Sequence, residues 1–357
     1  MKTIITTLAL LCATPVFSQT VDGTLDAEYG EPNTVQNTQT GFGNSDIGMP
    51  DFANGSEIDA AHVRIANGYL YIMLPGNLES VFNKLDIFID ARSGGQHTLR
   101  ADNPDIDFDG LNRMGDDGTG NGLTFDVGFE ADMWIGMTCG GDTFATYANY
   151  AELPTEGAGY GEFVGSGSSG AEGKIVGPTG IELALDNSNT GGVGYGEGIG
   201  CGEGVTTGIE VAIPLYLFDW DGKAGNIKTA KVCAFINNGG HDYISNQVTG
   251  GLGGSPNLGD PRYVNFESIA GSQYAELGAT AEPCPDPTGA CCLDVECSDL
   301  SAVDCLALGG EYFGDGTFCN TSPPPCAPEP CEGDVNGDGV VTVADVLIVI
   351  SNWGCGE

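Results

Sequence analysis

An acidic, glycine-interrupted loop near the C-terminus has the residue types and the spacing that bind calcium. The stretch DVNGDGVVTVAD, numbered from its first residue, offers an oxygen ligand at positions 1, 3, 5, 7, 9 and 12. Calcium takes six to eight hard oxygen ligands, and Gly339 at position 6 permits the sharp turn that wraps them round one centre. The predicted ligands are Asp334, Asn336, Asp338, the backbone carbonyl of Val340, Thr342 and Asp345. Asp at position 12 replaces the usual Glu, so the last ligand is a shorter side chain.

The residues after this loop predict one helix, and the residues before it predict none. From about Val343, an apolar stripe recurs at helical spacing and ends at Gly354; it consists of Val346, Leu347, Ile350 and Trp353. The prolines of TSPPPCAPEPCEG exclude an entering helix. We predict a disulfide between Cys331 and Cys355, which flank the repeat; a closed loop of this length contributes roughly 3 kcal/mol.

The stretch DVNGDGVVTVADVLIVISNWG resembles a type I dockerin repeat, in particular the short variety with flanking cysteines in secreted planctomycete proteins. The resemblance covers residues 333–354. It implies a calcium-folded unit that attaches the chain to a partner. Dockerins that bind cohesins generally carry two repeats, whereas one is found here, and Val343 and Ala344 lack the hydroxyls common at the recognition positions. A cohesin-like partner is therefore less favoured than an envelope protein or a polysaccharide.

A second acidic loop has part of the same pattern. In DIDFDGLNRMGD, carboxylates occupy positions 1, 3, 5 and 12, which are Asp105, Asp107, Asp109 and Asp116. However, Arg113 occupies position 9, and glycines follow where a helix would leave the loop. We favour a solvated acidic loop here and keep a second calcium site as the alternative.

The long segment that precedes the cysteine-rich tail predicts a domain of short strands. Residues 19–282 contain apolar, β-branched runs separated by Gly, Asn and Asp; these are YLYIML, LDIFID, LTFDVGFEADMWIGM, GIELALD, GIEVAIPLYLF and IKTAKVCAFI. This pattern is typical of a β-sandwich or jelly roll. Alternation over 125–137 puts Trp134 on the polar face of its strand. Trp134 then either packs under a loop or offers its ring as a sugar-stacking platform.

Four short motifs occur in the order VDGTLDAEYG, GYLYIML, KLDIFIDARSGG and GIEVAIPLYLF. In this order they resemble the carbohydrate-binding family 9-like and DOMON-like β-sandwiches. The resemblance spans roughly residues 21–220 and implies carbohydrate binding. The paired tryptophans with which that family holds a sugar have only Trp134 and Trp220 as candidates here.

Cysteines concentrate in a short segment that needs cross-links. Six of them predict three disulfides of open pairing: Cys291, Cys292, Cys297, Cys305, Cys319 and Cys326. This segment resembles a small cysteine-rich repeat of secreted planctomycete proteins. A zinc site is the disfavoured alternative, because paired C-x-x-C elements are absent. Cys284 stands outside the six and can complete the set of Cys139, Cys201 and Cys233.

The first residues and the overall charge predict an exported protein. Residues 1–18 read as a secretory signal peptide, and no segment approaches the ~18 apolar residues of a membrane span. Fifty acidic residues against 11 basic ones give a net charge of −39, which excludes nucleic acid as a partner. The acidic surplus either keeps the protein soluble or binds divalent cations. We expect the protein outside the cell or at its surface.

We thus predict a mainly β protein: a β-sandwich domain, a small disulfide-rich module and a calcium-loop-plus-helix repeat. The predicted ranges are a signal peptide (1–18), the sandwich (19–282), the cysteine-rich module (284–326), a proline-rich linker (327–332) and the repeat (333–355). No catalytic motif or paired histidine occurs, so we predict no catalytic residues. The favoured function is a secreted, non-catalytic binding protein with Ca²⁺ as its cofactor. The alternatives are an extracellular polysaccharide-degrading component and a calcium-dependent surface-layer protein.

Overall fold

A computed structural model describes residues 19–42, 55–196, 198–219, 227–284, 288–293, 296–314, 317–319, 326, 333–336 and 340–353. The predicted signal peptide, Trp220, the proline-rich linker, Cys331 and Cys355 lie outside these ranges. The chain divides after Cys284 into two compact units. The predicted fold class is confirmed: antiparallel sheets dominate, and the second unit is rich in disulfides.

The first unit contains two large antiparallel sheets. One has the order β1-β3-β4-β11-β10-β9, with β2 paired to β4, and the other has the order β13-β12-β5-β6-β7-β8, with β14 paired to β12. Their bounds are β1 Thr34–Val35, β2 Glu57–Ile58, β3 Ala60–Ala66, β4 Tyr69–Asn77, β5 Val81–Asp90, β6 Met133–Gly140, β7 Ala145–Glu152, β8 Gly161–Gly167, β9 Ile175–Val176, β10 Glu182–Leu185, β11 Gly208–Pro214, β12 Lys231–Asn237, β13 Ile244–Val248 and β14 Ala275–Glu276. A one-turn helix, α1, spans Gly110–Arg113.

Alternation along the strands builds the main core between the sheets. Ile72 of β4 and Val211 of β11 belong to the same buried cluster as Ile87 of β5 and Ile135 of β6. Because successive side chains of a strand point to opposite faces, Phe88, the neighbour of Ile87, lies on the outer face of its sheet. The connections before β6 and after β13 cover that face and, with side chains of the strands beneath them, form a second buried cluster.

The alternation predicted over 125–137 is wrong as a single strand. Only the part from Met133 onward is a strand, β6, whereas the backbone N–H of Phe129 donates to the carbonyl of Asp126 in a turn. Gly128 in this turn has a φ of 74°, a value that glycine adopts easily. Phe125 and Phe129 are consequently buried on the outer face, while Met133 packs in the main core.

The described residues of the second unit form a three-stranded antiparallel sheet and two helices. The sheet has the order β16-β15-β17, formed by β15 Thr288–Leu293, β16 Glu296–Ser301 and β17 Glu311–Tyr312. Helix α2, Ala302–Ala307, begins after Ser301, whose hydroxyl accepts the backbone N–H of Asp304. Helix α3, Val343–Ser351, follows the predicted calcium loop.

Candidate functional site

Helix α3 starts where the sequence predicts, and its first turn is capped from within the loop. The Thr342 hydroxyl accepts the backbone N–H of Ala344 at 3.2 Å. The Asp345 carboxylate in turn accepts the backbone N–H of Thr342 at 2.7 Å, which completes a capping box. The last two described ligand positions of the loop are therefore also the start signal of the helix. Asp338 and Gly339 lie outside the described residues.

The Asp345 carboxylate joins the two ends of the loop. Its Oδ1 accepts the backbone N–H groups of Val335 at 2.9 Å and of Asn336 at 3.2 Å, while Oδ2 accepts from Thr342. The side chain is buried. The hydrogen bonds from Thr342, Asn336 and Val335 lower the pKa of Asp345, so the carboxyl group is ionised at neutral pH.

The charge of this loop fits a calcium ion. The donors described at Asp345 are neutral N–H and O–H groups, which orient the carboxylate without cancelling its charge. After Arg262 the sequence contains no lysine, arginine or histidine, so no basic side chain of the second unit can neutralise the loop. The predicted ligand set consists of carboxylate, amide, hydroxyl and carbonyl oxygens, which are the ligands of a hard divalent cation.

The apolar side chains of α3 are exposed. Val343, Leu347, Ile350 and Trp353 have 73%, 59%, 60% and 81% of their surface accessible, and among the described residues of the helix only Asp345 is buried. The predicted apolar stripe therefore exists as a surface, with no core beneath it in the part of the unit that the structure describes. Contiguous exposed apolar surface of this kind marks interaction sites.

The six cysteines of the module form three disulfides, Cys291–Cys305, Cys292–Cys326 and Cys297–Cys319. The sulfurs of Cys292, Cys297 and Cys326 lie close enough together to resemble a metal site. Each is consumed in a disulfide, however, and a metal binds the free thiolate. The bridges thus hold a segment that has little apolar surface to bury.

A fourth disulfide, Cys201–Cys284, closes the first unit. Of the four cysteines outside the module that the sequence grouped together, Cys201 and Cys284 form this bridge. Cys139 and Cys233 remain buried thiols. Burial raises the pKa of both thiols, to about 12 for Cys139, so neither is a reactive thiolate.

The sugar-stacking role considered for Trp134 is wrong. The indole has no exposed surface and donates its Nε1–H to the Asp86 carboxylate at 2.9 Å. Asp86 also accepts from Asn237 Nδ2 at 3.3 Å and lies 3.1 Å from His241 Nε2. A side chain added at Gly136, two residues along the same face, would collide with the indole ring. Trp134 therefore packs beneath the connections that cover the outer face. This is the alternative of packing under a loop that the sequence left open.

The second acidic loop does not gather its carboxylates. Asp107 pairs with Lys84 at 3.2 Å, Asp105 accepts the backbone N–H of Asp109, and Asp116 accepts the N–H groups of its own following turn. All four predicted ligands are described, yet no three of them come within ligand distance of one another. The second calcium site is therefore not supported, because the carboxylates of Asp105, Asp107 and Asp116 each have a separate structural task.

Sequence reasoning missed a cleft of about 620 Å³ on the sandwich. His62, which the sequence suggests is an ordinary surface or turn residue, lines this cleft and is only 3% exposed. Its Nδ1 has no hydrogen-bond partner, and burial lowers its pKa to about 4, so the imidazole is neutral. Glu31 and Glu203 lie along the same cleft. No sequence spacing brings these residues together.

No protein-family model, curated protein or solved structure matches this chain. No helix among the described residues is long and apolar enough to cross a bilayer.

Proposed function

We propose that this chain is a secreted, non-catalytic attachment protein, in which a calcium-closed loop presents helix α3 to a partner protein. The observation that carries this proposal is the apolar surface of α3 that follows the charged, buried Asp345. A short helix with so little burial is marginal in water unless its start is fixed. A calcium ion that joins the loop ends would supply this fixed start, as metal binding does in other small domains.

The calcium step is tested by limited elastase digestion of the full chain, read by mass spectrometry. With calcium we expect α3, Val343–Ser351, to resist cleavage, and with a chelator we expect cleavage within it. Asp345→Ala should be cut in both conditions. Glu311→Gln, which removes an exposed charge elsewhere in the same unit, should behave like the natural chain. Equal cleavage of the natural chain with and without calcium would refute a calcium-folded repeat.

The attachment step is tested on isolated envelope fragments of the producing cell. We expect calcium-dependent retention of the full chain, and its loss when Leu347 and Ile350 are changed to Ser. These side chains are exposed, so the substitutions remove apolar surface without creating a cavity. Retention that survives both substitutions would place the attachment elsewhere on the chain. A parallel test against cohesin modules decides whether the partner is cohesin-like.

The cleft around His62 favours a second role for the sandwich, namely binding of a carbohydrate. Its carboxylates and neutral imidazole can hydrogen-bond sugar hydroxyls, although the lining is acidic and mixed in polarity. The full chain is incubated with a panel of soluble and insoluble polysaccharides, and both retention and released sugars are measured. Retention without release supports binding, whereas release indicates a degrading enzyme. Absence of both, with calcium-dependent self-association in light scattering, favours a surface-layer protein.

A further inference from the structure

Two carboxylates are buried side by side in the sandwich. Glu57 of β2 is 1% exposed and Asp59, which follows β2, is fully buried. The two side chains are within hydrogen-bonding reach of each other. Burial is the largest cause that raises the pKa of both groups. Two ionised carboxylates in contact repel each other unless a proton or a cation lies between them.

Among the residues that the structure describes, no basic side chain pairs with either carboxylate. Glu57 Oε1 accepts from Asn77 Nδ2 at 2.8 Å and from Asn189 Nδ2 at 3.0 Å. Asp59 accepts from the backbone N–H of Val193 at 2.7 Å and from Asn189. All these donors are neutral. Two other buried acids do have a basic partner: Asp107 pairs with Lys84, and Asp132 pairs with Arg92 at 3.3 Å.

Two buried oxygen atoms at this pair have no hydrogen-bond partner. They are Glu57 Oε2 and Asn77 Oδ1, and both residues are 1% exposed. Since the Asn77 amide donates to Glu57 through its nitrogen, its oxygen, on the same carbon, stays beside the carboxylate. Buried oxygen atoms without partners are costly, and they are rare in folded proteins.

A glycine-rich segment, described over residues 189–196 and 198–204, closes over this pair. A side chain at Gly192, whose φ is 94°, would collide with the Asp59 carboxylate, and one at Gly202 would collide with the Asp59 backbone carbonyl. The disulfide at Cys201 anchors the end of this segment. A surface cavity of about 430 Å³ is lined by Gly192 and by Asn189, whose amide donates to both carboxylates.

We propose that Glu57 and Asp59, with the Asn77 amide oxygen, hold one hard divalent cation, Ca²⁺, beneath this glycine-rich segment. Two carboxylates and an amide oxygen are ligands that calcium prefers, and water entering from the cavity can complete its coordination. The two charges of the ion balance the two carboxylates, which no residue around them does. This site is separate from the terminal loop and does not depend on it.

Native mass spectrometry of the full chain with calcium tests the proposal. Glu57→Gln keeps the shape and removes one charge, and we expect it to lose one bound ion per chain. Asp345→Ala removes the terminal site, and Glu57→Gln should still lose one ion in a chain that carries this substitution. The two sites are thereby counted separately. The control Glu172→Gln changes an exposed carboxylate of the same unit and should lose no ion. An unchanged ion count in Glu57→Gln would overturn the proposal.

A second measurement remains decisive if Glu57→Gln folds poorly. In the Asp345→Ala chain, we expect calcium to raise the midpoint of thermal unfolding of the sandwich by several degrees, because an ion bound only by the folded state stabilises it. The midpoint of the chain that also carries Glu57→Gln should not respond. Calcium without effect on the sandwich of the Asp345→Ala chain would refute the site.

Discussion

Replacing Trp134 with Phe tests whether this tryptophan is a structural residue or a binding residue. The change removes the hydrogen bond from the indole to Asp86, and a bond to a charged group contributes about 1.5–3 kcal/mol. It also removes part of a fully buried ring, at about 0.8 kcal/mol for each buried CH₂ equivalent. Asp86 keeps His241 and Asn237 as partners after the substitution, so we take the lower value of about 1.5 kcal/mol for the lost hydrogen bond. We expect a total loss of roughly 3 kcal/mol.

The assay is urea unfolding of the full chain, followed by far-ultraviolet circular dichroism of the sandwich transition. Trp353→Phe is the matched control, because its side chain is 81% exposed and lies at the end of α3. We expect the control to change the free energy of unfolding by less than about 0.5 kcal/mol. Retention on polysaccharides should be equal for both variants under conditions where both are folded.

Two results would refute this reasoning. A Trp134→Phe chain that is as stable as the natural one would show that the indole is not packed against Asp86 and the outer-face cluster. Loss of polysaccharide retention with unchanged stability would restore the stacking role that the buried position excludes. Acrylamide quenching gives an independent check, since a fully buried indole is quenched much less than Trp353.

Further predictions concern the disulfide, a buried acid and the glycine-rich segment. Changing both Cys201 and Cys284 to Ala should lower the free energy of unfolding of the sandwich by about 4 kcal/mol, because the bridge closes a long loop; urea unfolding measures it. Burial raises the pKa of Asp132 to about 7, so the folded state binds its proton more tightly, and the contribution of this group to stability falls as pH rises from about 4 to 7. As the pH rises from 5 to 8, the free energy of unfolding of Asp132→Asn should therefore increase relative to that of the natural chain in the same assay. Gly192→Ala should destabilise the sandwich and weaken its calcium response, since the new methyl group meets Asp59.

The strands could be predicted from the sequence wherever one face alone is buried or the run is wholly apolar. Gly208–Pro214 pairs along its whole length with Tyr69–Pro75 of β4, as their β-branched runs indicate. The stretch before Met133 was wrongly predicted to be a strand. Alternation of apolar and polar residues also occurs in a turn whose aromatic side chains are buried by other segments. Alternation of apolar and polar residues with a period of two indicates the two faces of a strand. It does not indicate which part of the protein covers each face.

The buried polar sites were less accessible to sequence reasoning. SEID contains two charged residues, and segments far along the chain, such as the one that contains Asn189, bury it. His62 looked ordinary for the same reason. The capping of α3, by contrast, uses Thr342 and Asp345, three residues apart, and such local signals are visible in a sequence. The sequence therefore located the start of α3 correctly, while sites assembled from distant segments required the fold.

The scarcity of basic residues links the two cation sites that we propose. Two bases of the sandwich pair with buried acids, Lys84 with Asp107 and Arg92 with Asp132. Glu57 and Asp59 have no such partner, and the second unit has no basic residue at all. In a chain of this charge, a divalent ion neutralises carboxylates held close together without protonating them. If the chain is exported as its first residues predict, both sites would meet abundant calcium only outside the cell, so the sandwich and the terminal repeat would reach full stability at the place where they act.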